Sequence, residues 1–169
     1  GMAESYQPTR RQFVAGCATI VTGGVLLRHR FTLAGQAPAS AGPITPILLE
    51  DLVAANRILA NQGVLDALGH VSARHDRDPN RYLLSQSRSA ELVVREDVME
   101  YDLNSNPVNE AGRPMYLERF IHGEIYRARP DVRAIVHHHA ASLIPFGVSS
   151  TALRAVHRSG AFIAQGVPI

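Results

Sequence analysis

The sequence contains no lysine; all 17 of its basic residues are arginine. A Schiff-base aldolase and a pyridoxal-phosphate enzyme each need a lysine amine as nucleophile. A Walker-type phosphate loop needs one as well. All three are excluded within this chain. Tryptophan is also missing, and aromatics make up only 6% of the residues, so the core must be mostly Leu, Ile, Val and Ala. The single cysteine, Cys17, lies near the N-terminus, which excludes an internal disulfide and a cysteine-ligated zinc. Long apolar runs are absent too. The stretch from Val14 to Leu27 falls short of the ~20 apolar residues that cross a bilayer, so no stable membrane span is expected.

Positive charge is unevenly placed. Four of the 17 basic residues (Arg10, Arg11, Arg28, Arg30) and one of the 15 acidic residues (Glu4) lie in the first 42, which leaves 13 basic against 14 acidic. Phosphate binding needs clustered positive charge, so no nucleic-acid partner is expected. A chain of 169 residues with 46% hydrophobic content is long enough for one domain with a packed core.

Residues 1–42 read as a leader and 43–169 as the folded domain. Thr9-Arg10-Arg11-Gln12-Phe13-Val14 resembles a twin-arginine export motif. The apolar stretch follows, and Ala37-Pro38-Ala39-Ser40-Ala41 offers a small-residue cleavage site before Gly42. This order implies a periplasmic or exported protein. Twin-arginine export carries folded proteins, which fits an enzyme that acquires a metal before crossing.

Within the domain, helical spacing of Leu48, Leu49, Leu52, Ala55, Ile58 and Leu59 predicts a helix over Pro46 to Gly63. Val71 to Arg74 and Tyr82 to Ser85 read as the two strands of a hairpin. Arg95 to Tyr101 reads as a helical turn running into strand-like residues up to Leu103, and Val108 opens another extended piece after a turn. A helix is predicted over Tyr116 to Ala128, with Leu117, Phe120, Ile121, Ile125 and Tyr126 on its apolar side. After Arg129-Pro130-Asp131, a buried strand is predicted over Val132 to His139, followed by a helix and a final strand. Helices and strands mix without regular alternation, which predicts a mainly antiparallel sheet with helices on its faces.

The chemistry gathers near the end of that order. On the strand bearing His137-His138-His139, alternate side chains share a face, so His137 and His139 point together and His138 points away. Glu118 and His122 lie four apart on the preceding helix. The tight turn between helix and strand allows Glu118 to meet the histidine end. A carboxylate with two imidazoles suits zinc, manganese or iron.

Three segments together resemble the class II aldolase/adducin family, in its decarboxylase-like branch. They are Glu118-Arg119-Phe120-Ile121-His122, then Tyr126-Arg127-Ala128-Arg129-Pro130-Asp131-Val132, then Ala134-Ile135-Val136-His137-His138-His139-Ala140. Upstream, Gly69-His70-Val71-Ser72-Ala73-Arg74 is similar to the family's glycine-asparagine-x-serine-x-arginine loop. The resemblance implies a three-layer αβα fold around a central, mainly antiparallel sheet, usually in a homotetramer. It implies a divalent metal, zinc first and manganese or iron otherwise, held by His137 and His139. Glu118 would be acid/base or metal partner.

Where sugar-phosphate aldolases carry a Ser-Ser pair, this chain has Tyr116-Leu117, and the loop asparagine is His70. Both changes imply a small-molecule substrate without phosphate, with Gly69, His70, Ser87 and Arg88 as the residues that would bind it. The family's third metal histidine comes later than His157, the last histidine here, so the C-terminal part of the family domain is expected to be missing. The implied activity is a metal-dependent carbon–carbon lyase, aldolase or decarboxylase, working on a hydroxy or oxo acid through a metal-stabilised enolate. The alternative is an adducin-like interaction module or an inactive lyase fragment.

Overall fold

Strand pairing begins with the hairpin. In the computed structural model, which describes residues 37–167, β1 (His70–Arg74) and β2 (Arg81–Ser85) pair antiparallel. β3 (Val98–Asp102) lies against β2, and β4 (Ala134–His137) lies against β1, both antiparallel, giving the order β3-β2-β1-β4. The twin-arginine motif, the apolar stretch and Cys17 lie outside the described residues. The end of the expected leader is described. The Ala39 carbonyl accepts from Arg81, and Ser40 Oγ and the Ala41 amide donate to Glu100.

Alternation along the strands divides the sheet into two faces. Val71, Ala73 and Leu83 form one buried cluster with Leu52 and Leu65. Helix α1 (Pro46–Asn61) covers it, starting with Pro46 in its first turn and stopping before Gly63 at φ +67°. Leu48, Leu52, Ala55 and Leu59 pack as predicted, but Ile58 faces solvent. Asn56 takes a buried place instead. Its amide donates to the Leu52 carbonyl (2.9 Å), and its oxygen accepts from the Val71 amide (3.0 Å), tying α1 to β1.

The opposite face carries Tyr82, Leu84, Met99 and Tyr101, clustered with Tyr116 and Tyr126. Helix α2 (Arg119–Ala128) packs there, so the three layers expected of the sequence are present. The helix departs from prediction in two ways. It starts at Arg119 rather than Tyr116. Its buried side is His122, Gly123 and Tyr126, while Leu117, Phe120 and Ile121 are exposed, Leu117 by 80%.

The polarity of β1 explains the inversion. Ser72 and Arg74 present buried polar groups to α2, and such groups need partners. Ser72 Oγ is hydrogen-bonded to His122 Nδ1 (2.6 Å) and to the Tyr126 hydroxyl (2.8 Å). The Arg74 guanidinium donates to the carbonyls of Val132, Tyr126 and Arg129, each at 2.9 Å, and to that of Pro79. Gly123 lets the helix approach, because a Cβ there would stand 2.5 Å from Ser105 Oγ and 2.9 Å from the Leu103 carbonyl.

The predicted strand over Val132 to His139 is shorter and less buried than its apolar run implied. β4 is an edge strand of the described sheet. Ile135 packs on the tyrosine cluster, whereas Val136 faces away and is 43% exposed. The extended piece at Val108 reduces to a bridge between Tyr101 and Pro107. After β4 come a short helix α3 (Ile144–Gly147) and a 3-10 segment (Arg158–Ile163). The final strand is not found among the described residues, which offer it no neighbour beyond β4. No described helix is long and apolar enough to cross a membrane.

Two measurements test this packing. Arg74→Lys keeps the charge but offers three donors on one nitrogen, too few to reach four carbonyls. It should lower the stability found by urea denaturation by roughly 3 kcal/mol. His122 is fully buried, and burial, then His70 and His137, push its imidazole down to about 3. Between its ordinary value of 6.5 and about 3 the unfolded chain therefore binds a proton that the native chain refuses. Stability should fall with pH through that window, and His122→Gln should reduce the slope by about 1.4 kcal/mol per pH unit.

Candidate active site

The histidines stand where β4 runs out. His137 is the last residue of the strand and pairs with His70 on β1. Simple strand alternation was expected to bring His139 alongside it, but the chain has already left the strand there. His139 nonetheless meets His137, in an irregular segment where the Ala140 amide donates to His138 Nδ1 (3.1 Å). The two rings meet edge-on, centroids 4.8 Å apart, with Nε2 facing Nε2 at 3.2 Å. Two imidazole nitrogens on one tetrahedral zinc, each at ~2.0–2.1 Å, stand about 3.3 Å apart. The pair therefore fits as two ligands of one ion. Burial, and then the neighbouring His139, lower the pKa of His137 and favour the neutral form that metals bind.

His70 extends this row inwards. It is fully buried, with centroids 5.1 Å from His137 and 4.9 Å from His122, and it stacks on Tyr116 at 4.1 Å. Its Nδ1 lies 2.9 Å from the Leu68 carbonyl. A carbonyl only accepts, so Nδ1 carries the proton and Nε2 the lone pair. That Nε2 has no hydrogen-bond partner among the described residues. Burial lowers the His70 pKa, and the Leu68 bond offsets this only in part. Expected as an open substrate contact, His70 lies instead beneath the site.

Gly69 is a packing residue. A Cβ there would stand 2.9 Å from Leu65 Cδ2 and 3.2 Å from the His137 carbonyl, so glycine lets β1 and β4 meet at the histidines. Ser87 and Arg88 are exposed. One Arg88 nitrogen donates to Asp97 at 2.9 Å, so the guanidinium is partly committed within the protein. Burial alone would raise the Asp97 carboxyl, but the Val94 amide, Gln86 and Arg88 outweigh it and hold it below the usual range. Tyr116 joins the two regions: it stacks on His70, and its hydroxyl donates to the Arg88 carbonyl and accepts from the Arg88 amide.

Glu118 stands at the N-terminal end of α2, partly exposed and without a capping bond from its side chain. Its charge favours protonation of both His70 and His137. Among the described residues no three His, Cys, Asp or Glu side chains are gathered as a complete metal site. The structure thus brings together His70, His137 and His139, with Gly69 packed against them.

Sequence reasoning passed over two members of this neighbourhood. Tyr116 was read only as a departure from a serine pair. Asp66 was not singled out. Its carboxylate oxygens stand 3.3 and 3.4 Å from His139 Nδ1, and Oδ1 accepts from the amides of Leu68 and Gly69. An aspartate three residues before a glycine is a turn signal that was available in the sequence.

The family model for the class II aldolase and adducin N-terminal domain matches residues 50–169. The chain is 39% identical over 114 residues to the decarboxylase tropJ of Talaromyces stipitatus, covering 66% of this chain and 42% of that protein. It is 31% identical over 136 residues to the 3,4-dihydroxyphthalate decarboxylase of Arthrobacter keyseri, covering 71% of this chain and 53% of that protein. The chain thus spans about half the length of these relatives. Among solved structures, it is similar to the L-fuculose 1-phosphate aldolase of Glaciozyma antarctica PI12, with a TM-score of 0.57, 26% identity, and coverage of 64% of this chain and 47% of that one. On these matches, and on the antiparallel αβα core that ends in paired histidines, the chain belongs to the class II aldolase and adducin family.

Proposed function

We propose that this chain is part of a metal-dependent carbon–carbon lyase of the carboxy-lyase type, acting on a hydroxylated carboxylic acid. The observation that carries the reading is the 3.2 Å approach of His137 Nε2 and His139 Nε2, the spacing of two ligands on one ion. Zinc is the metal favoured here, with manganese or iron as the other candidates for the same donors. When bound, the metal supplies a Lewis acid that draws electron density from the oxygens of the substrate.

The chain's own groups divide the remaining work. His137 and His139 are the nitrogen donors at the mouth of the histidine row. Loss of carbon dioxide breaks a carbon–carbon bond and leaves its electron pair on the substrate. Glu118 is the group assigned to pass a proton to this carbon as general acid. Arg88 and Ser87, both exposed, are the residues assigned to hold the acid group of the substrate.

Decarboxylation is preferred to aldol cleavage on two grounds. Two curated relatives are named as decarboxylases, one of them for a dihydroxylated aromatic diacid. Moreover, the Tyr116 hydroxyl is committed to the Arg88 backbone, so this position offers a sugar phosphate no free hydroxyl.

Metal content measured by plasma mass spectrometry on untagged protein should approach one zinc or manganese per chain and vanish in the His137→Ala/His139→Ala double variant. No metal in either protein would overturn the reading and leave the interaction-module alternative. Glu118→Gln should keep the metal and slow carbon dioxide release by roughly 10²–10⁴-fold, the usual span for removing a general acid.

A further inference from the structure

We propose that Asp66 is the positioning residue of the metal centre, holding the His139 proton on Nδ1 so that the Nε2 lone pair is free for the ion. The inference rests on the metal reading of His137 and His139 and adds to it a residue outside the pair.

The geometry is specific. The two Asp66 carboxylate oxygens stand 3.3 and 3.4 Å from His139 Nδ1, across 73 residues of sequence. A carboxylate only accepts, so the contact is favourable when Nδ1 bears the proton. His139 Nε2 is then the acceptor in its 3.2 Å contact with His137 Nε2, and His137 is the donor. Binding an ion at that point requires only that His137 move its proton from Nε2 to Nδ1, since His139 is already in the ligating tautomer. Without Asp66, both rings would have to be sorted into the right tautomer when the metal binds.

Asp66 is itself held in place. Its Oδ1 accepts from the amides of Leu68 (3.0 Å) and Gly69 (2.8 Å), closing the turn that leads into β1. The carbonyl of Leu68, within that turn, accepts from His70 Nδ1. One carboxylate therefore orients His139 directly and fixes the turn whose carbonyl orients His70. The contact itself contributes little to stability, because the side chains of His139 and Asp66 are 39% and 50% exposed. What it supplies is orientation, and losing such a partner typically weakens metal binding by 10–100-fold.

Asp66→Asn keeps Oδ1 in the turn and replaces Oδ2, the nearer of the two oxygens to His139 Nδ1, by an amide that donates. The amide oxygen still accepts from Leu68 and Gly69, while the carboxylate is lost. Zinc affinity of the full chain, measured by competition with a chelator, should fall by about 10–100-fold. Two-bond proton–nitrogen spectra of the metal-free imidazoles should show His139 as the Nδ1–H tautomer in the unsubstituted chain and as a mixture in the variant. An affinity within twofold of the unsubstituted chain, with the tautomer unchanged, would overturn the role of Asp66 and leave the metal reading standing. Should the variant not fold, the unsubstituted spectrum decides, because an Nε2–H tautomer at His139 would overturn the assignment. Failure of the unsubstituted chain to bind zinc would overturn the metal reading instead, and the tautomer would still show whether Asp66 controls His139.

Discussion

A buried guanidinium bonded to backbone carbonyls organises this domain. Arg74 is 3% exposed, and its guanidinium donates to the carbonyls of Pro79, Tyr126, Arg129 and Val132. Burying a charge is costly unless it is well bonded. Here carbonyl dipoles at the C-terminal end of α2 offset that cost, as expected for a cation at a helix C-terminus. The face of Tyr126 adds to it, lying 4.6 Å from the guanidinium carbon. The hairpin loop, the end of α2 and the turn after it must therefore converge on one side chain. From that point β4 has one short route back beside β1, and the Arg74 amide donates to the Arg133 carbonyl at 2.8 Å as the pairing begins. That pairing sets His137 opposite His70.

The site inherits its character from this register. Four imidazoles form a row from the surface into the core: His139, His137, His70 and His122. For His70, His122 and His137, burial is the largest cause of a lowered pKa, and the imidazoles penalise each other's charge. Neutral nitrogens with free lone pairs are what a metal or a substrate proton requires. The price is a core that tolerates acid poorly. Tyr116 stacks on His70 within the row and binds the Arg88 backbone, so the histidines and the loop of Ser87 and Arg88 share one support.

Much of this was legible in the residues. The spacing of Leu48, Leu52 and Leu59 located α1, and the strand-like segments Val71 to Arg74 and Tyr82 to Ser85 located the hairpin. The motifs around Glu118 and His137 identified the family. Other features were hidden for definite reasons. The apolar pattern of Leu117, Phe120 and Ile121 pointed to the wrong side of α2, because hydrophobic periodicity takes no account of a sheet face that already carries Ser72 and Arg74. The run Ala134-Ile135-Val136 looked like a buried strand, because position within a sheet is a property of topology and not of local composition. His137 and His139 do converge as expected, although the strand itself ends at His137. Asp66 acts across 73 residues, a separation that local spacing cannot bridge.

The Ser72 hydroxyl, bonded at once to His122 and Tyr126, acts as an indexing pin for α2. Sliding the helix by one turn, ~5.4 Å, would break both bonds and strand three buried polar groups together. Rotating it would exchange them for Phe120 or Ile121, which cannot hydrogen-bond. The helix thus has one admissible setting on the sheet, fixed to within the tolerance of a hydrogen bond. Glu118 lies four residues before His122, about 6 Å along the axis at 1.5 Å per residue. Its reach towards the histidines is therefore set by a contact inside the core, out of contact with solvent and substrate alike. Chemistry at the surface of this domain is aligned from within.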